Sequence, residues 1–254
     1  MAALPHPLLI LAPHPDDAAL SCAALLEQEE PVDIVTVFAG EPEQPQQGFW
    51  DALCGFASSA ESVPARRRED ETAFAEGPHR LRFLDLPDIQ YLTERPRAHA
   101  EAIAETLRSW AEANEGGTVA IPAGAGWRPG PLRELPERLH LGRLIRSPGP
   151  RPQPDHLFVR DAVIAANVAA TILLYEELPY LWGGRADPAL EDVSERFGVR
   201  AEPLVLTVDR EQKAARIAHY GSQLPHLGAP GHGRIDDPAS LPGVERYWAL
   251  SRPG

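Results

Sequence analysis

Cysteine is nearly missing from this 254-residue chain: Cys22 and Cys54 are too few for a disulfide framework or a thiolate zinc site. Both read as buried thiols in a reducing cytoplasm. Also lacking is any apolar run near the ~20 residues of a membrane helix, which sets aside a spanning segment and predicts a soluble protein. Positive charge is in deficit, with 24 Lys and Arg against 37 Asp and Glu and a net charge of −13, so a nucleic acid backbone is excluded as the main partner. Residues 1–7 carry no basic stretch ahead of Leu8-Leu9-Ile10-Leu11, so the start does not read as a secretory signal. What remains is globular composition, 43% hydrophobic and 24% charged, compatible with one domain over residues 1–254 and with a homo-oligomer.

Short apolar or β-branched runs bounded by Pro, Gly and Asp predict strands at 8–12, 32–38, 81–86, 118–122 and 203–208. Between them, helical spacing predicts helices at 18–29, 64–75, 96–115, 156–177 and 210–219. Alternating strand and helix, with strands that are continuously rather than alternately apolar, predict an α/β, Rossmann-like, mostly parallel sheet flanked by helices. Its ligand crevice is expected beyond the carboxyl ends of the strands. Residues 126–153 break the pattern with Arg128, Arg133, Arg138, Arg143, Arg146 and Arg151 among many prolines, and read as a long flap inserted into the domain.

The chemistry gathers where the first strand ends, at Pro13-His14-Pro15-Asp16-Asp17. One Asp before a helix is explained by capping; two carboxylates and an imidazole within four residues exceed that need. Imidazole and carboxylate are the donors of a catalytic zinc site, which takes about three protein ligands and keeps a position open for water. The segment supplies two. A third is expected from another strand-to-helix junction, and Pro154-Asp155-His156 offers His156.

With these residues the chain resembles the PIG-L/LmbE-like N-deacetylases, whose first motif reads approximately [AP]-H-P-D-D-[ED] and second H-[PV]-D-H. Here they stand as Pro13 to Ala18 and Gln153 to His156. Further similar segments are Arg66 to Asp70, Leu84 to Asp88, Tyr175 to Tyr180 and Lys213 to Gln223. The resemblance implies metal ligands His14, Asp17 and His156, a Zn2+ cofactor or another divalent metal, Asp16 as general base, and hydrolysis of an N-acetyl group from a small acetylated amino sugar or its conjugate. It also implies substrate roles for Arg66 and Asp85.

Two positions depart from the family. Ala18 replaces an acidic residue, and Gln153 replaces the first His of the second motif. Glutamine can donate a hydrogen bond to an oxyanion but cannot deliver a proton at neutral pH. His140 in the flap is a candidate substitute. Phe49, Trp50 and Trp127 read as packing residues that could stack on a sugar. A second reading is a weakened family member that binds metal and ligand without efficient turnover. A third, a receiver-like module phosphorylated on Asp85, leaves His14 and His156 without a role.

Overall fold

The computed structural model describes residues 6–124, 153–182, 186–229 and 231–252. In it, seven strands form one sheet in the order β3-β2-β1-β4-β5-β7-β6. β1 (Leu8–Ala12), β2 (Val32–Thr36), β3 (Arg80–Phe83), β4 (Thr118–Pro122) and β5 (Thr171–Tyr175) run parallel, while β7 (Val244–Ser251) pairs antiparallel with both β5 and β6 (Arg200–Thr207). The strand order reverses between β1 and β4. In open α/β sheets that reversal opens a crevice at the carboxyl ends.

The apolar run of β1 is explained by burial on both faces. Leu9 and Leu11 pack with Ile103, Leu107 and Trp110 of α5 (Arg97–Ala113) and with Val159 and Val163 of α6 (Pro154–Ala166). Leu8 and Ile10, pointing the other way, pack with Ala18, Ala19 and Leu25 of α1 (Asp17–Ser21) and α2 (Ala23–Leu26). Strand alternation thus feeds two cores.

Several predicted boundaries differ, each for a physical reason. The helix expected at 18–29 is two short helices separated at Cys22, whose φ of −130° and ψ of 25° leave the helical region. The helix expected at 156–177 stops at Ala166 because Asn167 turns left-handed, φ 50° and ψ 52°; Thr171–Tyr175 is then a strand between β4 and β7. Strands β2 and β3 end at Thr36 and Phe83, short of the predicted limits, and isolated bridges between Phe38 and Asp85 and between Gly40 and Pro87 continue the pairing. The helices expected at 64–75, 96–115 and 210–219 are α4 (Ser59–Ala73), α5 and α8 (Arg210–Ile217). β7, α3 (Phe49–Leu53) and α7 (Asp187–Phe197) add to the predicted set. Cys22 is buried and Cys54 half-buried, and both are free thiols. Among the described residues no helix is long and apolar enough to cross a membrane.

Candidate metal centre

His14 and Asp17 lie on the turn that leaves β1, and His156 lies in the first turn of α6, on the far side of the β1/β4 crevice. One donor atom from each of the three comes within 4.8 Å of the others. Asp17 is the hinge of the group, with its Oδ2 3.4 Å from His14 Nδ1 and 3.4 Å from His156 Nε2. The same oxygen accepts the backbone N–H of His14 at 2.8 Å, which locks the turn. Asp17 therefore shapes the loop instead of capping the helix behind it.

Each imidazole is oriented through its other nitrogen. His14 Nε2 donates to Asp155 Oδ2 at 3.0 Å and faces Asp88 Oδ2 at 3.7 Å. His156 Nδ1 lies 3.4 Å from Glu177 Oε1, which also accepts the N–H of Gly124 at 2.9 Å. Gly124 has φ +101°, and a Cβ there would stand 2.7 Å from Arg160 Nη1, so the chain passes at this point without a side chain. His156 is fully buried, yet its Nε2 has no hydrogen-bond partner. A buried ring nitrogen aimed at a carboxylate and a second imidazole fits a divalent cation; zinc takes such a set, and carboxylate partners on the outer nitrogens are the usual support.

Asp16 precedes Asp17 in a backbone conformation rare for any residue but glycine, φ 107° and ψ −34°. Such geometry costs on the order of 1–3 kcal/mol and persists only where the surroundings enforce it. Here Asp70 Oδ1 accepts the Asp16 N–H at 3.4 Å, and Asp70 is itself gripped by the hydroxyls of Tyr220 at 2.6 Å and Thr36 at 2.7 Å. Arg66 Nη2 donates to Pro15 O at 3.1 Å and stands 3.6 Å from Asp16 Oδ2.

Electrostatics follow from burial and crowding. Burial and the neighbouring Asp17 raise the Asp16 carboxyl well above its usual range, against Arg66 and His14. Burial also opposes the charge on Asp17, but His156 and His14 outweigh it and its pKa falls. Burial works against a charge on His14, yet Asp88, Asp155 and Asp17 hold its pKa up at about 10.

A cavity of about 210 Å³ opens onto this centre. Its lining combines polar groups, among them His14, Asp16, Asp17, Arg66, Asp88 and Gln153, with apolar ones, among them Phe49, Trp50, Ile89, Leu178, Pro179 and Tyr180. Gln153 caps α6, its Oε1 accepting the N–H of Asp155 at 2.7 Å. The structure thus brings together His14, Asp16, Asp17, His156, Arg66 and Gln153. It does not bring in Asp85, whose exposed carboxylate pairs with Arg67 Nη1 at 3.1 Å outside the cavity; Asp88, on the other side of Pro87, lines it instead. His140, Trp127 and the flap before Gln153 lie outside the described residues. The sequence reading passed over Glu177, Arg95 and Asp155 as supports. Asp155 carried a hint through its place beside His156, and Glu177 through the family-like segment Tyr175 to Tyr180.

Residues 9–167 match the family described as PIG-L: GlcNAc-PI de-N-acetylase. No curated protein matches the chain. Among solved structures, the A40926 pseudoaglycone deacetylase Dbv21 is similar with a TM-score of 0.70 at 24% identity, over 96% of this chain and 97% of that one. Teicoplanin deacetylase Orf2 is similar in a zinc-inhibited form, with a TM-score of 0.64 at 23% identity, over 97% of this chain and 98% of that one. The N,N'-diacetylchitobiose deacetylase from Pyrococcus horikoshii, complexed with its inhibitor MPG, gives a TM-score of 0.50 at 16% identity, over 86% of this chain and 71% of that one.

Proposed function

The chain belongs to the GlcNAc-PI de-N-acetylase (PIG-L) family, and from that premise we propose that it hydrolyses the N-acetyl amide of an amino sugar or its conjugate, using zinc or another divalent metal held by His14, Asp17 and His156. The observation that carries the reading is the unpartnered Nε2 of buried His156, facing Asp17 beneath a cavity that contains Asp16. Deacetylases among the structural neighbours, one in a zinc-inhibited form, support it.

Bound there, the metal would polarise the amide carbonyl and acidify a water molecule. Asp16 accepts the proton of the attacking water and returns it to the departing amine, a role suited to a buried carboxylate that the turn aims into the cavity. Arg66 holds Asp16 through its guanidinium and presents its remaining donors to sugar hydroxyls. With the Gln153 oxygen occupied by Asp155, its NH2 is the group left to donate to the oxygen that gains charge. The apolar lining with Phe49 and Trp50 suits the nonpolar face of a sugar ring.

Acetate release and metal content, measured together on purified variants, test this reading. Asp16→Asn keeps stoichiometric zinc and loses at least about 100-fold in turnover, as removal of a general base requires. His156→Ala loses the zinc. A near-parental rate in Asp16→Asn removes Asp16 from the reaction, and zinc retained in His156→Ala removes that ligand. A parent that binds zinc and releases no acetate from any acetylated amino sugar favours the alternative, a family member that binds without efficient turnover.

A further inference from the structure

Arg95 lies in the loop before α5, in none of the segments that resemble family motifs, and its guanidinium is almost wholly buried. Every side of that group is occupied. Nη2 donates to Asp155 Oδ1, and Nη1 donates to Pro87 O at 3.1 Å and to His99 Nδ1 at 3.1 Å. The planar group also lies over Phe38, 3.9 Å from the ring centre, with Phe158 at 5.2 Å. Asp155, which it holds, is fully buried, and the other oxygen of that carboxylate accepts from Ile89 N–H at 3.1 Å and from His14 Nε2 at 3.0 Å.

We infer that Arg95 is a positioning residue for the metal centre: it fixes Asp155 against Nε2 of His14, so that the ring turns Nδ1 toward Asp17 and the metal. This rests on the proposed metal site. Two carboxylates, Asp88 and Asp155, converge on His14 Nε2. A cation on the far side of Asp155 offsets one of those charges and pins the carboxylate in the plane the imidazole needs. The rigid fork of an arginine sets direction as well as charge.

The test is zinc affinity of the full chain, read by competition with a chromophoric chelator, with a melting curve of the metal-free protein to show the fold. Outer partners of metal ligands are typically worth about 10–100-fold in affinity, so Arg95→Met, which keeps the packing on Phe38, weakens zinc binding by that amount. Arg95→Lys, which keeps the charge, recovers at least half of the loss on a logarithmic scale. Adding Arg95→Met to Asp155→Asn changes the affinity by no more than about twofold, because both act through the same contact.

Zinc binding by Arg95→Met within about twofold of the parent overturns the role, as does a double variant in which the two losses multiply. Should Arg95→Met not fold, Arg95→Gln removes the charge while keeping a donor for Pro87 O, and is read by the same criterion. A parent that takes up no zinc sinks the metal centre itself and this role with it. A tight-binding parent with an equally tight Arg95→Met sinks only the role of Arg95.

Discussion

Removing the carboxylate of Glu245 should cost more stability than removing its cationic partner, although the two form one ion pair. Lys213, the chain's one lysine, is fully buried, and its Nζ donates to Glu245 Oε1 at 2.6 Å. Glu245 accepts three more bonds, from the N–H groups of Ala23 at 3.0 Å and Ala24 at 2.9 Å and from the hydroxyl of Tyr247 at 2.5 Å. It thereby caps the start of α2 from β7. Glu245→Leu strands a buried ammonium, worth about 3–5 kcal/mol, and orphans two backbone donors at about 1–3 kcal/mol each. The sum, about 5 kcal/mol or more, rivals the ordinary stability of a folded chain. Lys213→Met leaves Glu245 with three donors and should cost about 1–3 kcal/mol. The double variant buries no charge and should be more stable than Glu245→Leu alone. Urea unfolding followed by circular dichroism at neutral pH ranks the three, provided the slope with urea is constant. A Glu245→Leu chain as stable as Lys213→Met, or a double variant weaker than both, would refute the reasoning.

Gln153→His supplies the proton donor that the second motif lacks; it should raise turnover of an amide more than that of an activated ester, whose leaving group needs no proton, and equal gains on both would assign the effect to binding. Asp70 gives a pH signature, because burial pushes its carboxyl up to about 6 from the usual 3.8, against the bonds from Tyr220, Thr36 and Asp16. The folded state then binds the extra proton between those values, so the Asp70 contribution to stability is present at low pH and is lost as pH rises through about 6. A shift of this size corresponds to about 3 kcal/mol, and Asp70→Asn should gain on the parent by up to that amount between pH 4 and pH 7 in denaturant melts, whereas a constant difference would show an unshifted Asp70.

The strands β1 and β4 were readable because they are short, continuously apolar and flanked by Pro or Gly, which only a doubly covered strand needs. β5 was hidden because Leu157 to Tyr175 holds enough apolar residues to continue a helical pattern. Residues 167–170 separate the two elements, opening on Asn167 in a left-handed turn, and the sequence does not announce that conformation. β7 is harder still: Val244-Glu245-Arg246-Tyr247 looks like a charged edge, and Glu245 is buried only because Lys213 and the start of α2 meet it there. At the centre, the grouping of His14, Asp17 and His156 was legible from residue types at strand ends. Arg95, Glu177 and Asp70 were not, since their importance comes from partners 60, 21 and 54 positions away.

The family match ends at residue 167, after His14, Asp17 and His156 have appeared, yet the packing around them is not finished there. Glu177 faces the His156 ring, Tyr220 grips the carboxylate behind Asp16, and Glu245 anchors the start of α2. The later portion therefore acts as a brace for the side chains gathered at the carboxyl ends of the strands. A fragment cut after residue 167 would keep the motif and lose these contacts.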